Sequence, residues 1–102
     1  MVTVRPVPVG DRWAVAVQVE LPKTHLVAVS TGTGYIMCGA LDVALLNTRL
    51  KERGIVAARA LGVKTVEELL EAPITDLTDA ARTLGVREGM PGKEALARMF
   101  VD

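Results

Sequence analysis

One cysteine, one histidine and an arginine set inside an apolar run are the residues of this 102-residue chain whose types could do chemistry. Cys38 follows Tyr35-Ile36-Met37 and precedes Gly39, after which the residue pattern changes to helical spacing. A thiol between the carboxyl end of a strand and the start of a helix meets backbone amides and the positive end of the helix dipole, which lower its pKa and can hold an anion. The same residue among Ile36, Met37 and Ala40 also reads as a small buried hydrophobe. His25 is the only histidine and Asp42 lies in the first helical turn, so these two are the groups that could assist a Cys38 nucleophile. A histidine at the start of a strand is equally an ordinary edge or surface residue. One Cys and one His are too few for a structural zinc site within a chain, and no metal is expected.

Arg59 interrupts the apolar run from Ile55 to Leu61. A guanidinium there pairs with a carboxylate, for which Asp42 is the candidate, faces an anionic ligand, or points to solvent. Asn47, polar in mid-helix, either bonds a neighbouring loop or contributes to a ligand site. The amides of Gly39 and Ala40, with Asn47 and Arg59, are therefore the groups that could bind a small anion. Gly32, Gly34 and Gly39 do not form a phosphate loop: no GxGxxG stands between strand and helix, and no Lys-Ser or Lys-Thr closes a P-loop. Turn geometry accounts for them.

The elements that must position these residues follow from periodicity. Met1–Val9 reads as a strand confined to a sheet edge by Pro6 and Pro8. From Trp13 to Leu21 the alternation puts Trp13, Val15, Val17, Val19 and Leu21 on one face, and Ala14, Ala16, Gln18 and Glu20 on the other. That second face, small as well as polar, suits cover by another subunit or by water. Pro22 ends the strand, and His25–Ser30 is a third, apolar throughout its centre. Tyr35–Cys38 is a fourth. Leu41, Ala44, Leu45 and Thr48 then form a helical stripe that runs to Arg53 and stops at Gly54, and Ile55–Leu61 is a fifth strand. A strand, helix and strand in succession predict a crossover, with the two strands parallel if they share a sheet. Thr65 and Glu68 have capping-box spacing and open a short helix ending before Pro73. Leu77–Leu84 and Lys93–Phe100 are further short helices. The fold class is α+β: a single domain over residues 1–102, with a mostly antiparallel sheet of about five strands, one long crossover helix and two or three short C-terminal helices.

Composition narrows the function classes. Half of the residues are hydrophobic, yet there is one Trp, one Tyr and one Phe, so the core is built from small aliphatic side chains. Twelve basic residues balance twelve acidic ones, which leaves no bulk positive surface for phosphate backbones. The C-terminal TVEELLEA and GVREGMPGKEAL faintly resemble a helix-hairpin-helix module, but Glu67, Glu68, Glu71, Asp76 and Asp79 make the region acidic. No nucleic-acid partner is expected. No apolar run approaches the roughly eighteen residues of a membrane span, no leader pattern opens the chain, and a lone Cys forms no internal disulfide, so the expectation is a cytoplasmic protein without a membrane partner.

The strings LPKTHLVAV, GYIMCGALDVALLN and LKERGIVAARALGVKTVEELLEAP are similar to those of the YunC-like proteins, a bacterial and archaeal family classed as a domain of unknown function. The resemblance runs from about Leu21 through Ala97. It implies an α+β fold whose N-terminal β region, residues 1–30 here, mediates homotetramer formation, and it implies no activity or cofactor. Three readings stay open: a module binding a small anionic metabolite at the turn Cys38–Asp42, a thiol-dependent enzyme with Cys38 as nucleophile, and a structural or interaction protein without a small-molecule site.

Overall fold

The computed structural model describes residues 1–39, 47–48 and 53–100. Six strands form one sheet in chain order: β1 (Val2–Val9), β2 (Arg12–Leu21), β3 (Thr24–Ser30), β4 (Gly34–Met37), β5 (Val56–Arg59) and β6 (Asp76–Leu77). All neighbours are antiparallel except β4 and β5, which run parallel, the pairing that the strand, helix and strand pattern predicts. Asn47 and Thr48 are helical. The remainder of the long crossover helix expected after Gly39 lies outside the described residues, and the longest helix described has seven residues.

Three short helices follow β5: α1 (Val66–Glu71), α2 (Asp79–Thr83) and α3 (Gly92–Arg98). The capping box of α1 forms as its spacing predicts. Thr65 Oγ1 accepts from the Glu68 amide at 3.1 Å, and Glu68 Oε1 accepts from the Thr65 amide at 3.1 Å. Two free amides are satisfied reciprocally. The segment expected as one helix from Leu77 is divided. Asp76 and Leu77 pair with β5, and Thr78 then caps α2. Buried Thr78 makes the division specific, because its hydroxyl accepts from both the Ala57 amide in β5 and the Ala81 amide in α2.

Strand parity decides what each face of the sheet meets. On the inner face Val7 and Val9, Ala14 and Ala16, Val27 and Val29, Ile36 and Ala58 join one core with Val66, Leu69, Ala95, Leu96 and Met99 of α1, α3 and their flanks. The alanines of β2 are thus covered by the chain's own helices, which corrects the expectation that their face is left for a subunit or for water. Small side chains there let the helical layer approach closely, since interiors fill to crystal-like density. Within the helical layer itself α3 lies close on α1: at Gly92 a Cβ would fall 2.1 Å from the Leu69 carbonyl oxygen and 3.0 Å from Ile36 Cδ1 of β4. Burying Leu69 or Leu96 contributes about 1.5–3 kcal/mol each.

The outer face has the opposite character. The registers of β1, β2 and β3 place Val2, Val4, Pro6 and Pro8 beside Trp13, Val15, Val17, Val19 and Leu21, and these beside Thr24, Leu26, Ala28 and Ser30. No charged residue stands among them; Arg5, Arg12 and Glu20 all share the inner face. Val2, Val4, Trp13, Val15 and Leu21 are exposed, with Trp13 at 66 %.

Candidate functional site

The ladder holds Cys38 on the inner side of the sheet. Its amide donates to the Val27 carbonyl at 3.1 Å, which extends the pairing of β3 with β4 by one residue. Its side chain turns inward with Ile36 and is 4 % exposed. The thiol donates weakly to the His25 carbonyl, at 3.9 Å from Sγ. What His25 offers Cys38 in this geometry is therefore a main-chain oxygen. The residue itself is exposed at the start of β3, where it pairs with Glu20.

Gly39 is exposed, and a Cβ there would meet the end of the Leu61 side chain at 3.0 Å. Ala40 and Asp42 lie outside the described residues. Asn47 bridges toward the opposite end of β5. Its Oδ1 accepts from the Asp79 amide at 2.9 Å, and its Nδ2 donates to the Leu77 carbonyl at 3.4 Å. The side chain thus holds the junction between β6 and α2, satisfying an amide of the first turn of α2 that has no partner within that helix.

Arg59 is paired across the β5 and β6 ladder with Asp76. Its Nε donates to Asp76 Oδ2 at 2.9 Å and its Nη2 to the same oxygen at 2.5 Å. Thr75 Oγ1 lies 3.1 Å from that oxygen and 3.0 Å from the Arg59 carbonyl. The Arg59 guanidinium and, less strongly, the Thr75 hydroxyl hold the Asp76 carboxyl below its ordinary range, against the opposing effect of burial. Asp76 is a partner that sequence reasoning missed. A two-residue strand has no periodicity to announce it, and the only signal is an Asp beside Leu77 just ahead of the capping Thr78.

Cys38 and Arg59 do not converge. Arg59 is opposite Met37 in the parallel register and so shares the outer face, whereas Cys38 shares the inner face with Ile36. The sheet stands between the thiol and the guanidinium. Among the described residues no group of three or more His, Cys, Asp or Glu is placed to hold a metal ion. A different feature gathers around Met37. With Val17, Val19, Leu26 and Ala28 it lines a depression of about 120 Å³ in the outer face, almost wholly apolar. Its signal in the sequence is the Trp13-to-Leu21 alternation with Val2 and Val4 in register beside it, once that side is recognised as facing outward.

Comparison with known proteins agrees with this architecture. The chain is 56% identical over 100 residues to the uncharacterized protein YunC of Bacillus subtilis (strain 168), a match that covers 98% of this chain and 99% of that one. The crystal structure of a protein of unknown function, TA1206 from Thermoplasma acidophilum, superposes with a TM-score of 0.87 at 23% identity, over 98% of this chain and 94% of the other, and so shares the fold. Residues 37–99 match the model of a domain of unknown function, DUF1805. By that match and by its identity to YunC over almost the whole chain, the protein belongs to the DUF1805, YunC-like family.

Proposed function

We propose that this is an interaction protein that assembles through the outer face of β1, β2 and β3, with a second copy of the chain as the partner. The observation that carries the reading is the composition of that face. Scattered exposed hydrophobes are normal on a monomer, but a contiguous apolar patch marks an interaction surface. Here the patch spans three strands, contains no charge, and lies back to back with an inner face that holds every charged side chain of those strands. A sheet with one solvated face turns its polar residues to water, whereas here the uncovered face is the apolar one, which marks it for cover.

The partner's nature follows from charge and from the edge. The chain is formally neutral and the patch uncharged, so nothing electrostatic opposes the meeting of two identical patches. Pairing along the edge of β1 is restricted. Met1 and Glu20 exchange backbone hydrogen bonds, so the odd-numbered residues of β1 bond to β2 and the even-numbered ones turn outward. Pro6 and Pro8 therefore offer no amide to a neighbour, which blunts the edge and leaves face-to-face packing as the mode of association. A homotetramer, the state implied by the family resemblance, is reached when this contact is combined with a second one.

Of the other readings, an anion site at Cys38–Asp42 is not favoured by Arg59, which bonds Asp76 and lies on the opposite face of the sheet from Cys38. A thiol enzyme draws none from Cys38, enclosed in the core. Sedimentation velocity over a micromolar concentration series tests the proposal. The wild type should sediment as an assembly, and Val15→Lys with Val17→Lys should give a folded monomer by circular dichroism. A wild type that is monomeric throughout overturns it.

A further inference from the structure

The outer face carries both a projecting side chain and a hollow, and we infer that they fit one another: Trp13 of one copy seats in the depression lined by Val17, Val19, Leu26, Ala28 and Met37 of a second copy. The inference rests on the self-association proposed above and names its anchor. Trp13 is the largest side chain on the face and is two-thirds exposed, near the start of β2. The depression lies further along the same strand, centred near residue 18 and reaching across to β3 and β4. At about 3.3 Å per residue, knob and hollow are about 17 Å apart along β2.

A two-fold axis in the plane between two stacked sheets, crossing β2 between Val15 and Val17, reverses the strand direction and brings each Trp13 over the other copy's hollow. Both contacts then form at once, as an isologous interface requires. Stacked sheets stand about 10 Å apart, a gap that an indole spans while its ring nitrogen stays near the rim. The hollow suits an aromatic guest. It is aliphatic, and Met37 presents a thioether, a favourable neighbour for a ring. Burying an exposed aromatic in a preformed apolar pocket is the pattern of an interface hot spot. Every residue beside the path from knob to hollow is apolar or hydroxylic, so no charge is stranded when the faces close.

Trp13 is the only tryptophan, so its emission reports its own burial. On concentration of the wild-type protein, the emission maximum should move to shorter wavelength and acrylamide quenching should fall, both in step with the sedimentation coefficient. Trp13→Ala should weaken association about thirty-fold or more, the scale of a hot-spot aromatic. Ala28→Phe, which fills the hollow and leaves Trp13 intact, should weaken it about tenfold or more and keep Trp13 emission long-wavelength at concentrations where the wild type is shifted. Assembly with an unshifted, fully quenchable Trp13, or a Trp13→Ala protein that associates like wild type, overturns the anchor while leaving self-association standing. Loss of association in Trp13→Ala but not in Ala28→Phe overturns the hollow as the seat. A wild type that stays monomeric overturns both this inference and the proposal beneath it.

Discussion

Replacing Gly92 with alanine tests how closely α3 packs on α1. The added methyl would lie 2.1 Å from the Leu69 carbonyl oxygen and 3.0 Å from Ile36 Cδ1. To restore an ordinary contact, α1 and α3 must part by about 1 Å. The backbone around them resists. The Gly92 amide donates to the Ala72 carbonyl at 3.0 Å, the Ile74 amide to Met90 at 2.8 Å, and Pro73 bridges to Pro91. Because the obstacle is backbone and not a movable side chain, the strain belongs at the upper end of overpacking costs, about 3 kcal/mol. Alanine in place of glycine near a helix start returns about 1 kcal/mol through helix propensity and a less disordered unfolded chain. The net is a loss of about 2 kcal/mol, or a Tm lower by roughly 8–16 °C for a chain of this size. Urea melts followed by circular dichroism at one fixed protein concentration measure it, since self-association shifts apparent stability. Gly39→Ala is the control. Its methyl meets only the end of exposed Leu61, and the change should stay within about 0.5 kcal/mol. A Gly92→Ala protein as stable as wild type, or more stable as propensity alone would have it, would refute the close backbone packing of α1 on α3.

Two other expectations concern the residues that first drew notice. Native Cys38 should react with a chromogenic disulfide far more slowly than the same thiol in urea, at a rate set by opening of the core, because it is buried beside Ile36 and Ala58; fast stoichiometric labelling of the folded protein would contradict that enclosure. Asp76 has its folded pKa lowered by Arg59, so the stability it contributes is present above the ordinary aspartate pKa and is lost as the pH falls through the lowered value. Asp76→Asn should therefore be less stable than wild type at neutral pH, and the two should converge in acid below the usual aspartate range. With its side chain 40 % exposed the pair is screened, and the gap should be within about 1 kcal/mol. A gap that persists unchanged at pH 2 would show that the loss is not ionic.

Much of the fold was legible because local signals and tertiary structure agree. Pro6 and Pro8 confine β1 to the edge, Thr65 and Glu68 cap α1, and a helical pattern between Met37 and Val56 makes β4 and β5 parallel neighbours. What was not legible turned on which side of an alternating strand is the inside. In β2 the two faces separate cleanly by size, and hydrophobicity alone assigns the larger set to the core. The core instead takes Ala14 and Ala16, which are buried in one cluster with Leu69, Leu96 and Met99 of the helical layer, and the larger set is left outside. Alternation fixes which residues share a face and leaves the choice of face to the layer packed against it. The same parity places Arg59 and Cys38, two residues whose types could do chemistry, on opposite sides of the sheet.

Strand parity also decides which surface of the molecule is left open. With Ala14 and Ala16 inside, Trp13 and the valines of β2 have no core of their own, and the chain retains an exposed apolar face despite its short length. Keeping such a face uncharged on all three strands is hazardous for a monomer, since exposed apolar patches invite non-specific association. The proline-blunted edge of β1 and the placement of every charge of β1, β2 and β3 on the inner side are consistent with the proposed association, sheet face on sheet face. An apolar outer face and an edge short of amide donors fit that one mode of association together. Together they direct attention away from the lone cysteine at the end of β4 and toward the three strands that precede it.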